Sequence, residues 1–405
     1  MKELPLVYLN SNDGSSILGF GGDDYLVSSK ASSLSDIQSF IDKHQNQYTF
    51  CYVGYDIKNQ LENLSSSNFD GCKMPDLFLF SPKYVVRIKN DSFTFLQGQK
   101  HKDAEKFISD FLAKNNHRFD TQQKIEFKPR TPKIDYLETV KQLKNHIQKG
   151  DIYEVTYCQE FYQENITLED PITAYFRMNA VTKGPFSSFV SFEDKYILCG
   201  SPERFLQKKQ QTLISQPIKG TAKRGVDALN DEKIKKELLA DPKERAENVM
   251  IVDLVRNDLS KVASKGSVTV NELFGIYSFE TVHQMISTIN AEQRKGTNFT
   301  DLLKALFPMG SMTGAPKHSA MKLIEQYEDF KRGVFSGSIG YIKPNGDFDM
   351  NVVIRSILYN ATDKYISCPV GGAITIHSDP EKEYEECATK IGAILTAFNG
   401  QQEMK

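Results

Sequence analysis

The chain has 405 residues, 40% hydrophobic and 25% charged, the balance of a soluble globular protein long enough to bury a sizeable core. Its formal net charge is −2, so no global field points to nucleic acid or an anionic membrane as partner. No apolar run nears the length of a membrane span, Met1-Lys2-Glu3-Leu4-Pro5 lacks the apolar core of a secretory signal, and six cysteines show no C-x-x-C spacing; these features lead us to expect a cytoplasmic protein with reduced, buried thiols.

Residues 1–125 alternate short strands with a few helices. Leu34, Ile37, Phe40 and Ile41 share a helical face, and residues 49–55 have strand composition. Residues 82–88 and 92–96 form a hairpin around Lys89-Asn90-Asp91. A helix over 103–114 turns Phe107, Ile108 and Phe111 inward. Residues 116–133 are polar, with two prolines and no period, and read as a linker between this N-terminal region and a main body over 134–398.

The body opens with a helix over 135–149. Asp135 is placed to cap it, Gly150 to close it, and Leu137, Val140, Leu143 and Ile147 form its buried stripe. Residues 151–161 alternate as a strand, with Glu154, Thr156 and Cys158 on one face. A helix follows near 171–178, then a hairpin of 187–192 and 195–199. That hairpin delivers Gly200-Ser201-Pro202-Glu203-Arg204. A carboxylate at the end of an apolar strand is partly desolvated, which raises its pKa toward that of a general acid; an exposed turn glutamate is the plain alternative.

Residues 213–225 begin as a strand and end in a Gly-bounded turn. Lys219 stands where strand becomes loop. Pro217 fixes φ two residues earlier, and Gly220 permits close approach of backbone to a ligand. The same pattern also describes an edge strand with a solvated lysine. Charged helices follow over 229–239 and 242–259. In the second, Asp253, Arg256, Asn257 and Asp258 interrupt an apolar segment, as an interior network or as intrahelical pairs.

An amphipathic helix over 299–307 leads into Pro308-Met309-Gly310-Ser311-Met312-Thr313-Gly314-Ala315-Pro316-Lys317. Its glycines and hydroxyls ahead of a helix start suit an anion, or simply a joint between helices. Residues 333–342 and 347–359 read as strands joined at Pro344-Asn345-Gly346. Arg355, near the end of the second, has the forked donors that hold a carboxylate, unless it pairs with an acid across the sheet. From Pro380 a helix places Glu383, Glu386 and Lys390 on one face. With Glu247 as a third carboxylate the set suits a hard cation such as Mg²⁺, although a Glu-rich first turn also complements a helix dipole.

Ser201-Pro202-Glu203-Arg204, Pro217-Ile218-Lys219-Gly220-Thr221, the helix containing Glu247, Thr313-Gly314-Ala315-Pro316-Lys317, Val353-Ile354-Arg355-Ser356 and Asp379-Pro380-Glu381 come in the order of motifs in the chorismate-utilising enzymes, and the chain resembles that family from Gly150 to Lys390. Gly54-Tyr55-Asp56 extends the resemblance more weakly into the N-terminal region. The resemblance implies an α+β fold: two large, mostly antiparallel sheets packed as a sandwich, helices outside, the site in a deep cleft, and the N-terminal strands joined to the same body. It also implies that Glu203 is the general acid and that Glu247, Glu383 and Glu386 hold Mg²⁺. Gly220, Thr221, Thr313, Gly314, Tyr341, Arg355, Gly371 and Lys390 would then bind chorismate.

Within the family, isochorismate-forming members carry lysine where Glu154 stands. Anthranilate synthases carry alanine where Lys219 stands, and many have an Asn-Pro-Ser-Pro-like stretch in a tryptophan site that residues 179–186 lack. Many members place histidine where this chain has Gln284, with His283 one residue early. A lysine at 219 marks the aminodeoxychorismate-forming members. The resemblance therefore implies that Lys219, left uncharged by burial or by a nearby cation, adds covalently to chorismate, and that ammonia displaces it to give 4-amino-4-deoxychorismate. The chain has no Gly-x-Cys-x-Gly elbow, so ammonia would come from a glutamine amidotransferase partner. No fused pyridoxal-phosphate lyase is expected, and the product would go on to 4-aminobenzoate and folate through another enzyme. An anthranilate synthase component I and a catalytically silent chorismate-binding subunit are the alternatives.

Overall fold

Period-two alternation sorts the strand side chains into two cores. In Leu6–Asn10, Val7 joins one core while Leu6 and Tyr8 join the other. In Phe186–Phe192 and Lys195–Ser201, Val190, Phe192, Ile197 and Cys199 take the first side, and Phe189 and Leu198 the second. A sheet apolar on both faces has to be covered on both. The first side packs with Phe50, Phe78, Leu213 and Ile289 of a second sheet. The second is covered by Tyr136, Val140 and Leu143 of the helix Lys133–Lys149 and by Ile391 and Ile394 of the helix Pro380–Asn399. Each fully buried Val, Leu, Ile or Phe contributes about 1.5–3 kcal/mol. The result, in a computed structural model that describes residues 4–28, 34–90, 92–116 and 124–399, is the expected α+β sandwich of an 11-stranded and a 10-stranded sheet, with strands paired antiparallel.

The N-terminal strands are woven into both sheets. Leu6–Asn10 pairs with Phe186–Phe192, and Thr49–Val53 with Ser338–Ile342. Gly54-Tyr55-Asp56 latches this region to the body: Tyr55 N–H donates to the Gly333 carbonyl at 2.7 Å, and Asp56 Oδ2 accepts from Gly333 N–H at 2.8 Å. The expected linker over 116–133 is only partly described, since residues 117–123 lie outside the described set. Lys128–Pro129, inside it, is a strand paired with Glu154–Gln163 rather than a spacer. The helix expected from Asp135 starts at Lys133, behind Pro132, and Asp135 sits in the first turn where the helix dipole favours its charge. Gly150 closes it with φ 85°.

Two segments cross from one sheet to the other, and this places the site. The strand expected over 347–359 breaks. Phe348–Asn351 belongs to the 10-stranded sheet and Ser356–Asn360 to the 11-stranded one, with residues 352–355 crossing between them. Arg355 turns the corner in the left-handed region, φ 54°. Asn351 holds the crossing, its Oδ1 accepting from Ile339 N–H and its Nδ2 donating to the Phe186 carbonyl. Likewise Lys195–Ser201 and Arg204–Lys209 lie in different sheets, with Pro202 and Glu203 between them. The crossings run side by side: Val352 N–H donates to the Glu203 carbonyl and Gly200 N–H to the Arg355 carbonyl, each at 3.0 Å.

Arg332 is the buried hub beneath them. Its guanidinium donates to Glu328 at 2.8 and 2.6 Å, to the Met312 carbonyl at 2.7 Å, to the Thr156 carbonyl at 2.8 Å and to Ser336 Oγ at 3.2 Å. The first three partners belong to three separate elements. Arg332→Ala strands the Glu328 carboxylate without its counter-charge, and we expect it to cost roughly 3–5 kcal/mol, read as a fall in the urea midpoint. An unchanged midpoint would remove this role. All six cysteines are buried and free. No helix among the described residues is long and apolar enough to cross a membrane.

Candidate active site

The site is assembled from both sheets where strands end, cross or bulge. Lys219 lies in the strand Ile218–Lys223, which pairs with Val282–Glu292, and the register slips between Ile218 and Thr221. A bulge re-aims a side chain, here that of Lys219. Gly220 beside it has φ 92°, which favours glycine, and a Cβ there would stand close to Glu244 Oε2 (3.2 Å) and Leu238 Cδ1 (3.3 Å).

Lys219 Nζ donates to Glu154 Oε1 at 2.7 Å, across from the 10-stranded to the 11-stranded sheet. Burial pushes the Lys219 ammonium down, but Glu154, Glu247 and Glu203 together push it up further, and the net shift is upward. Burial alone therefore does not leave this amine uncharged, because the carboxylates around it favour the ammonium form.

Glu203, at its sheet crossing, is 5% exposed and accepts from Ser311 Oγ at 2.7 Å. Burial pushes its carboxyl up to about 7, against the Ser311 hydroxyl, Lys219 and the Ile218 N–H, which pull it down. A carboxylic acid at that value is half protonated near neutrality, as a general acid requires. Ser311 was not singled out from the sequence. It belongs to the turn before Lys317–Tyr327, and its carbonyl accepts from Thr156 Oγ1 at 3.0 Å. Thr313 is fully buried, with its hydroxyl spent on the Met309 and Gly310 carbonyls, so it shapes this turn and has no hydroxyl to spare. Gly314 pairs with Val155, where a Cβ would stand 2.1 Å from the Glu154 carbonyl oxygen. Thr221 is exposed and pairs with Gln284.

Arg355, at the other crossing, is half-buried. Among the described residues its guanidinium has no hydrogen bond or ion pair, which leaves a forked donor free for a carboxylate. Its strained φ is the kind of outlier that recurs at ligand sites. Glu386 lies close enough to oppose the downward push of burial on Arg355. Lys390 Nζ donates to the Gly371 carbonyl at 2.5 Å and pairs with Glu386 Oε1 at 2.7 Å. Gly371 has no room for a side chain, since a Cβ would stand 2.4 Å from Cys158 Sγ.

The carboxylates expected to hold a metal lie in one neighbourhood. Glu247 Oε1 is buried and has no hydrogen-bond partner. A Cβ on Gly372 would stand 3.3 Å from Glu383 Oε2 and 3.9 Å from Glu386 Oε1. Burial pushes Glu247 up to about 7, with Lys219 and Lys243 opposing and Glu154 and Glu244 adding to it. Carboxylate oxygens are the donor type that a hard cation takes. The arrangement is not closed: among the described residues no three His, Cys, Asp or Glu side chains are grouped to hold a metal. Lys243 Nζ stands between, 3.8 Å from Glu247 Oε1 and 3.7 Å from Glu383 Oε1.

Tyr341 is a correction. It lines a separate cavity of about 800 Å³ with Arg204, Asp349, Arg87 and Asn179, and none of Glu203, Lys219, Glu247 or Arg355 lines that cavity. Residues of the 179–186 segment form part of its wall. His283 is turned away as well: its ring nitrogens meet Asp231 Oδ1 at 2.7 Å and Ser278 Oγ at 2.9 Å. Gln284, on the opposite face of the strand, is buried, and its Oε1 has no hydrogen-bond partner.

Residues 9–396 match the family described as chorismate binding enzyme. The chain is 35% identical over 354 residues to aminodeoxychorismate synthase component 1 of Salmonella typhimurium, covering 84% of this chain and 74% of that one. It is 32% identical over 370 residues to anthranilate synthase component 1 of Aquifex aeolicus, covering 87% and 74%. Anthranilate synthase component I from Streptococcus pneumoniae superposes with a TM-score of 0.80 at 24% identity, over 94% of this chain and 92% of that one, and so has the same fold. With its two sheets, its acid at one crossing and its free guanidinium at the other, the chain belongs to the chorismate binding enzyme family.

Proposed function

We propose that this chain is component I of an aminodeoxychorismate synthase, aminating chorismate to 4-amino-4-deoxychorismate. The observation that carries the reading is the placement of Lys219 against Glu154 with Glu203 beside it. A primary amine and a carboxylic acid poised near pH 7 are the two groups that covalent displacement of a ring hydroxyl needs. Several relatives bearing the aminodeoxychorismate synthase component 1 name support it.

Arg355 takes a substrate carboxylate. Lys219, its proton passed to Glu154, adds its Nζ at C2 while the C4 hydroxyl leaves as water with the proton of Glu203. Ammonia then adds at C4, the C2–Nζ bond breaks, and its electron pair returns to Lys219. The new C4 ammonium gives a proton back to Glu203, and the sum is chorismate plus ammonia to aminodeoxychorismate plus water. Glu247, Glu383 and Glu386 would hold Mg²⁺ once Lys243 swings aside, and the ion would neutralise a substrate carboxylate. Ammonia would come from a glutamine amidotransferase subunit.

Purified protein incubated with chorismate, Mg²⁺ and an ammonium salt tests this reading. The expected product yields 4-aminobenzoate only after a lyase is added. A fluorescent product without lyase would make the chain an anthranilate synthase, and unconsumed chorismate would make it a silent subunit. In a parallel Mn²⁺ titration followed by electron paramagnetic resonance, Glu247→Gln should weaken binding roughly tenfold or more. Unchanged binding would remove Glu247 from the metal site.

A further inference from the structure

Lys219 has one hydrogen-bond acceptor among the described residues, Glu154 Oε1. The pair is buried, Lys219 at 11% and Glu154 at 1% side-chain exposure, and Glu154 Oε2 has no hydrogen-bond partner. Glu154 is itself firmly held. It opens the strand Glu154–Gln163, pairs with Ala315, and is flanked by the Tyr153 N–H to Ala315 carbonyl bond at 2.7 Å. A long, flexible lysine arm on a bulge is thus tied to a rigid point on the opposite sheet.

We infer that Glu154 is the positioning residue for Lys219: its carboxylate fixes the amine in the cleft and governs how readily that amine gives up its proton. The inference rests on the reading of Lys219 as nucleophile. The charged groups facing Lys219 are Glu154, Glu203 at the sheet crossing, and Glu244 and Glu247 from the helix Pro242–Ser260, with Lys243 beyond Glu247. Among the described residues only Glu154 touches the amine. Each carboxylate stabilises the ammonium, so removing the charge at 154 releases the proton at lower pH. A glutamine there keeps an acceptor oxygen and loses only the charge. An alanine loses the tether as well.

The test is competitive labelling of amines with acetic anhydride across pH, on the full-length protein without substrate, with the Lys219 peptide quantified by mass spectrometry. We expect the half-point for Lys219 to fall by at least about one pH unit in Glu154→Gln. The limb of kcat/KM that rises with pH, set by deprotonation of Lys219, should move to lower pH with it, while Glu154→Ala lowers kcat with little change in KM. A Glu154→Gln labelling curve that superposes on wild type, in protein that melts cooperatively, overturns the inference. If Glu154→Gln fails to fold, Glu154→Asp, which retracts the charge by one methylene, should still lower the half-point, and superposition there overturns it equally. Failure of the underlying reading looks different: Lys219→Ala would keep its turnover whatever the labelling shows.

Discussion

Lys219→Ala should lower turnover of chorismate with ammonium by at least about a thousandfold, and intact-mass spectrometry should find no protein–substrate adduct. The effect is large because among the described residues no other amine touches Glu154, and Lys243 is engaged with Glu247 and Glu383. Removing Nζ deletes the bond-forming atom, so the loss belongs in kcat. Chorismate affinity, measured by calorimetry, should change much less, since Arg355 and Lys390 are untouched. A variant that keeps wild-type kcat would show that ammonia adds directly and that Lys219 only holds charge in the site.

Glu203→Gln should cost about 10²–10⁴ in kcat, the range for losing a positioned general acid. The wild-type pH profile supplies an independent check. Glu203 is raised to about 7 by burial, and it acts in its protonated form. Activity should therefore fall as pH rises through about 7, and that limb should be missing from the glutamine variant. Ser311→Ala should shift the limb upward, because the hydroxyl now pulls the value down by bonding to the ionised form. A limb that persists unchanged in Glu203→Gln would assign the acid to another group.

The two proposals bear on one electrostatic problem. Glu154, Glu203, Glu244 and Glu247 gather around a single ammonium, which holds Lys219 protonated while it keeps Glu203 from rising further. The nucleophile and the acid are thereby set against each other, and a change at Glu154 should be felt at both. Positive charge arriving among Glu247, Glu383 and Glu386 would act on Lys219 in the same direction as removing a carboxylate.

Periodicity and capping chemistry were enough to read the helices and hairpins. The stripe on Lys133–Lys149, its closure at Gly150, and Pro242 opening Pro242–Ser260 are local properties of the chain, and local properties survive folding. The roles of Glu203, Lys219, Glu247, Arg355 and Glu386 were legible only through the family resemblance of the runs that carry them, since spacing alone left each with a plain structural reading. Tyr341 was misplaced because nothing local to its strand says which cavity of the folded chain that stretch lines, and residues 339–341 line the one beside Arg204.

By itself the sequence determined the element types, the apolar alternation that demands two covered faces, and the residues with the right functional groups. Only the tertiary structure decided where those groups meet. Residues 352–355 and Pro202-Glu203 each read as continuous strand or simple turn, yet each crosses from one sheet to the other, through hydrogen bonds to partners more than a hundred residues away. The charge on Lys219 was decided the same way. Burial alone would have lowered its pKa, and the carboxylates that reverse the sign come from three separate segments that only the fold brings within reach.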